Sequence, residues 1–246
     1  MAYVLEIANS NPRAGRRFEP VQELELHGDA MLAARGLPGA NRGLIVVPEF
    51  AGPIGIPDFT AYVGDVERLR RRHRLDVPPV LNELDAGVVA SAHRRRPLGA
   101  EELASAQGWP SSAISERMRG LVRGGALIRV GEDRYVRPDA MEPGGRFYAI
   151  EAKVNDWRAA LRQVRTYRIW ADSYVLIMGQ ISLRAEEALE SEVRHDRGGL
   201  MIAGRWVVRP RLGQTAERRR LQAWESFAAA TRTGLDNPAL TLGVHR

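Results

Sequence analysis

The chain has 246 residues, 44% of them hydrophobic, with a formal net charge of +6 and a pI of about 10.2. That length and hydrophobic content allow one large domain or two small ones with packed cores. The absence of cysteine excludes disulfides, thiolate metal sites and a cysteine nucleophile, no apolar run approaches the ~20 residues of a membrane span, and the positive excess suits a nucleic-acid partner.

The opening Met-Ala-Tyr-Val-Leu-Glu-Ile lacks a basic segment ahead of an apolar run, so no signal peptide is read there, and a cytoplasmic setting is expected. Glu19 and Glu23 lie four apart around Pro20, a residue suited to a first helical turn. Gly36-Leu-Pro-Gly39 reads as a loop. Residues 43–50 have the composition of a strand, and 55–63 of a second, with Asp58 near its start among apolar neighbours. A carboxylate in such surroundings needs a partner if it is buried.

The next segment has its own pattern. Arg68, Arg70, Arg71, Arg72 and Arg74 crowd its beginning. Pro78-Pro79 opens a helix predicted over 80–92. A short helix over 98–107 ends at Gly108, and a third runs over 110–123 with apolar residues at 114, 118, 121 and 122. Strands at 126–130 and 134–137 flank Gly131-Glu132-Asp133 as a hairpin. Ser111, Ser112, Ser115, Arg119 and Arg123 are expected to face outward on the third helix. Over 66–138 fourteen arginines face nine acidic residues, so this stretch holds five of the six net charges. Arg94-Arg95-Arg96 suits a solvated loop.

Phe147-Tyr148-Ala149-Ile150 then leads a buried strand into Glu151-Ala152-Lys153. Alternation sets Glu151 and Lys153 on one face. Lys153 is the only lysine; every other basic Lys/Arg position is arginine. Arginine supplies charge, but not a compact ammonium whose pKa responds to its surroundings, which a water-activating hydrolytic site needs. A helix follows, with Trp157, Ala160, Leu161, Val164 and Ile169 at helical spacing and Gln163 and Tyr167 sharing a face. Strand 173–178 completes a βαβ unit with parallel pairing. A divalent cation shared by Asp58 and Glu151 would satisfy both carboxylates; magnesium takes hard oxygen ligands at about 2.1 Å. Residues 186–193 form a further helix, and 199–202 and 205–209 a terminal hairpin. An amphipathic helix over 214–232, carrying Leu221, Trp224 and Phe227, packs on the core or mediates a homodimer. The five histidines show no metal-ligand spacing.

The order Ile56-Pro57-Asp58, Glu151-Ala152-Lys153, Gln163-xxx-Tyr167, with Trp170-Ala-Asp172 following, closely resembles the PD-(D/E)xK superfamily of restriction-endonuclease-like nucleases, over about residues 15–65 and 145–210. The resemblance implies an α/β (α+β) fold, a mixed sheet flanked by helices, and magnesium-dependent hydrolysis of DNA phosphodiester bonds, with manganese as a substitute. It implies that Asp58 and Glu151 hold the metal with the Ala152 carbonyl, that Lys153 orients the attacking water, and that Gln163 and Tyr167 steady the site or touch the nucleic-acid backbone. The family often adds an acid on its first helix, here Glu19 or Glu23, with Pro20 favouring Glu19. Restriction, antiviral defence or repair would be the setting. The family usually keeps its Asp strand close in sequence to its E-x-K strand, whereas here a long insert separates them. The helix, helix, turn, helix, hairpin layout over 78–138 resembles a winged helix-turn-helix. That implies an inserted domain at 66–144 within a discontinuous domain at 1–65 and 145–246, with Ser111, Ser112, Ser115, Arg119 and Arg123 contacting phosphates or base edges. The rival readings are a non-catalytic DNA-binding regulator on a nuclease-like scaffold, and an interaction protein whose insert binds a partner subunit.

Overall fold

The computed structural model describes residues 4–6 and 26–236. Glu19 and Glu23 lie outside the described residues. The fold is α/β, built on a seven-stranded mixed sheet and a separate two-stranded hairpin. No helix among the described residues is long and apolar enough to cross a membrane.

The chain divides into two compact units. Of the described residues, the first takes those up to Val66, Gly145–Thr215 and those from Ala230 onward; the second takes Glu67–Gly144 and Ala216–Ala229. In chain order the first unit contributes β1 (Val4–Glu6), α1 (His27–Arg35), β2 (Leu44–Pro48) and β3 (Phe59–Val63). The second follows with α2 (Val66–Arg74, all but its first residue), α3 (Glu83–Ser91), α4 (Ala100–Gln107), α5 (Ser111–Arg123), β4 (Ile128–Gly131) and β5 (Arg134–Val136). The first unit resumes with β6 (Arg146–Lys153), α6 (Trp157–Tyr167), β7 (Ser173–Met178), α7 (Leu183–Asp196), β8 (Gly199–Ile202) and β9 (Arg205–Val208), and α8 (Glu217–Asp236) ends the described chain.

The sheet order is β1-β2-β3-β6-β7-β8-β9. β6 therefore sits at the centre, antiparallel to β3 and parallel to β7. Its residues from Phe147 to Ala152 are all buried, as a strand covered on both faces requires. One face carries Tyr148, Ile150 and Ala152 into a core with Leu44, Val46, Ala61, Val175 and Ile177, closed by Ala30, Met31, Ala33 and Ala34 of α1. On the other side of the alternation are Phe147, Ala149 and Glu151. α6 packs on β6 and β7 through Ala160, Leu161, Val164 and Tyr167. Asp156 starts α6 by accepting the Ala159 N–H at 2.9 Å. Asp172 fixes the start of β6, accepting the Phe147 N–H at 2.9 Å.

In the second unit α4 and α5 pack through Leu103, Ala104, Ile114 and Met118. Several boundaries differ from those the spacing predicts, each for a local reason. α3 begins at Glu83 because the Asn82 side chain accepts the N–H groups of Leu84 and Asp85. α4 begins at Ala100 because Leu98 exchanges two backbone hydrogen bonds with Tyr135, adding a bridge beside the hairpin. β4 begins at Ile128 because the Ala126 and Leu127 N–H groups turn back to the Leu121 carbonyl. Ile169, expected on the apolar face of α6, lies past its end and is exposed, while Trp170 is fully buried. The first part of α8 groups with the second unit. There Glu225, fully buried, accepts from Arg72 Nε at 2.8 Å and Nη2 at 2.6 Å and from the Val80 N–H at 3.1 Å.

Candidate active site

Glu151 and Lys153 leave β6 on the same face, and the Lys153 Nζ lies 3.3 Å from Glu151 Oε1. Glu151 is fully buried and Lys153 half-buried. The β3–β6 ladder ends at the Phe59–Ile150 pair. One residue beyond it, Asp58 turns its carboxylate back onto β6, where Oδ2 accepts the Ala152 N–H at 2.8 Å, across 94 positions of sequence. In an extended strand the N–H and C=O of one residue face the same neighbour, so this bond sets the Ala152 carbonyl on the Asp58 side as well.

α6 supplies the third wall. Gln163 Nε2 donates to the Tyr167 hydroxyl at 2.9 Å, and that hydroxyl lies 3.0 Å from the Ile56 carbonyl and 3.1 Å from Glu151 Oε2. A phenol has one proton, so it donates to only one of these acceptors at a time. With Glu151 protonated at Oε2, the carboxyl O–H donates to Tyr167 and Tyr167 donates to Ile56, so both hydroxyl protons have acceptors. Burial, reinforced by the charge of Asp58, pushes the Glu151 carboxyl up to about 8, against the opposing pull of Lys153 and Tyr167. Burial and the charge of Glu151 push the Tyr167 phenol well above its usual range.

These features fit a hard divalent cation. Glu151 Oε1 is buried without an aligned hydrogen-bond donor, although the ammonium stands beside it. The charge of Asp58 acts on Glu151, and the ammonium of Lys153 beside Glu151 offsets it. Asp58, Glu151 and the Ala152 carbonyl would give three protein oxygens, and no cluster of three or more acidic, histidine or cysteine ligands occurs among the described residues. Three oxygens suit magnesium, which keeps several of its waters.

The structure thus brings together Asp58, Glu151, Ala152, Lys153, Gln163 and Tyr167. Ser112, Arg119 and Arg123 are exposed on α5, away from the buried Ile114 and Met118, whereas Ser111, exposed in the first turn, and the half-buried Ser115 stand three residues before Ile114 and Met118 and so lie towards their side. Arg117, on the same helix, pairs with Asp85 at 2.6 Å. These five residues belong to the second unit.

Sequence reasoning assigned no role to Trp170 or to the loop it holds. β3 starts at Phe59 rather than at residue 55 because the segment after Glu49 curls onto α6. The Glu49 N–H closes that loop on the Asp58 carbonyl at 2.9 Å. Trp170 Nε1 donates to the Ile54 carbonyl at 2.9 Å, two residues before the Tyr167 contact at Ile56. Gly52 and Gly55 permit the approach: a Cβ at either would come within 2.7 Å of the Trp170 or the Tyr167 ring, and Gly55 has a φ of +75°. The i, i+4, i+7 spacing of Gln163, Tyr167 and Trp170, with two glycines ahead of Asp58, was the available signal. Comparison with protein-family models, with curated proteins and with solved structures finds no match to this chain.

Proposed function

We propose that the chain is a metal-dependent nuclease that hydrolyses DNA phosphodiester bonds. The observation that carries this reading is the meeting of Asp58, Glu151 and Lys153 across a long insertion, with the ammonium 3.3 Å from a buried Glu151 oxygen. The motif order that resembles the PD-(D/E)xK superfamily supports it, as does a mixed sheet with α1 on one face and α6 on the other.

Asp58, Glu151 and the Ala152 carbonyl would hold Mg²⁺, or Mn²⁺ in its stead. A bound divalent ion lowers the pKa of its water and stabilises charge on phosphoryl oxygens. As a ligand Glu151 would be ionised, with its proton released to solvent, and the Tyr167 hydroxyl, within reach of both, would donate to that carboxylate rather than to the Ile56 carbonyl. Gln163 holds that hydroxyl in place. Lys153, beside Glu151 yet partly open to solvent, orients the attacking water and balances charge on the scissile phosphate. In the second unit, α4, the turn at Gly108 and α5, followed by the hairpin with its Leu98–Tyr135 bridge, support the winged helix-turn-helix reading. Ser111, Ser112, Ser115, Arg119 and Arg123 would contact DNA there. Restriction, antiviral defence or repair would use such an enzyme.

The test is plasmid cleavage in magnesium by the wild type, Asp58→Ala and Lys153→Ala. Cleavage by the wild type and its loss in both variants is expected; equal nicking by all three ends the assignment. One observation favours the alternative of a non-catalytic DNA-binding regulator: only two carboxylates converge among the described residues. That reading requires salt-sensitive DNA binding with no magnesium-dependent cleavage.

A further inference from the structure

Where α7 ends and β9 runs out, four arginines line one cavity of about 440 Å³: Arg194, Arg197, Arg209 and Arg211. No carboxylate lines it. Arg194 is paired with Glu190 of its own helix at 2.5 Å. Arg209 is pinned, stacked 4.5 Å over Trp206 and donating to the Gly36 carbonyl at 2.6 Å. Arg197 and Arg211 make no ion pair among the described residues, and a backbone bond from the Arg211 N–H to the Arg197 carbonyl, 2.9 Å, ties their two segments together.

A helix C-terminus attracts cations, which accounts for Arg194 and Arg197. It does not account for two more arginines arriving from the segment after β9, nor for a lining without an acid. Arg197 also holds a left-handed backbone, φ 59°, at a helix end where glycine is the usual residue. A large cationic side chain is kept at a position that disfavours it. Several guanidinium groups around one cavity repel each other unless an anion joins them. Their planar forks match phosphate oxygens in pairs. The volume lies within the range of small-molecule sites and exceeds what a bare phosphate fills.

We propose that this cavity binds a phosphate ester of nucleotide size, as a free nucleotide or as one unit of a nucleic-acid backbone. By register Gly199 is level with Val175 and Ile150. Gly198 is therefore about four residues back from Lys153 and two strands across, roughly 16 Å by strand rise and spacing. The binding needs no metal and stands whether or not the chain cleaves DNA.

The experiment is done in EDTA with the full chain. Anisotropy of a short fluorescein-labelled duplex is followed against salt, and AMP binding is measured by calorimetry. The proteins are the wild type, Arg197→Glu/Arg211→Glu, and Arg184→Glu as a charge control on the same helix. Far-UV circular dichroism checks folding, and Arg197→Lys/Arg211→Lys, which keeps the charge but not the forks, serves if the reversal misfolds. A drop of about tenfold or more in duplex affinity, with a salt slope shallower by about two and no such drop in the control, assigns the site to the nucleic-acid backbone. AMP binding to the wild type that is lost in the double variant, with the duplex unaffected, assigns it to a free nucleotide. Loss of both assigns one site to both ligands. If neither binding differs between wild type and double variant, or if the Arg184 control loses as much as the double variant, the proposal is overturned.

Discussion

Glu151→Gln removes one titrating proton from the centre of the site while keeping the side chain's shape and its hydrogen bond to Tyr167. The carboxyl titrates near 4.5 when exposed and at about 8 in the folded chain. Its pKa is raised on folding, so between those values the folded state holds a proton that the unfolded state has lost. Metal-free stability therefore falls as pH rises from 4.5 to 8 and levels off above that. At 1.36 kcal/mol for each tenfold change in proton affinity, the full span is worth roughly 5 kcal/mol. The glutamine carries none of this dependence. Urea denaturation in EDTA at pH 5 and pH 8 measures it. Groups that do not interact with Glu151 contribute the same background to both proteins, so the difference reports Glu151 together with the Asp58 and Lys153 charges that act on it. The expected result is that the variant matches the wild type at pH 5 and exceeds it at pH 8, by several kcal/mol. Identical pH dependence in the two proteins would refute the account of a buried, protonated acid. A variant that is more stable yet fails to bind Mn²⁺ where the wild type binds it would display the conflict between stability and function at one position.

Trp170→Phe removes the N–H that holds the Ile54 carbonyl, so a loss of about 1 kcal/mol is expected in thermal melts. Weaker Mn²⁺ binding by calorimetry is expected with it, because Asp58 loses its brace; unchanged Mn²⁺ affinity would mean that the loop stands without Trp170. Glu225→Ala leaves Arg72 charged and buried in the second unit, at a cost of about 3–5 kcal/mol, read as a lower melting temperature. Arg119→Ala and Arg123→Ala should each weaken duplex binding across all sequences and reduce the salt slope by about one, seen by anisotropy; an unchanged slope would refute the proposed DNA contact by α5.

The βαβ unit was legible because its signals are local: the buried run before Glu151, the cap at Asp156, and the apolar spacing of Ala160, Leu161 and Val164. The shared face of Glu151 and Lys153 followed from strand alternation alone. The position of Asp58 was not legible from spacing. It depends on a loop whose shape is set by Trp170 and Tyr167, more than a hundred residues away. Composition reads that segment as strand because isoleucine and phenylalanine suit one. The grouping of α8 was hidden for the same reason, since Arg72 and Glu225 lie 153 positions apart. Ile169 fitted the helical period but fell two residues past the helix end, and Trp170 took the buried place.

Val63 and Arg146 are cross-strand partners. In topological terms the whole intervening chain is therefore the turn of a single hairpin, the kind of place where a gene accommodates a foreign module without disturbing its host. The graft is not cleanly removable, however. Excising it would strand Glu225, whose guanidinium counterpart would leave with the excised piece. A shortened chain would have to neutralise that glutamate, because the second unit is assembled from two separated stretches of sequence.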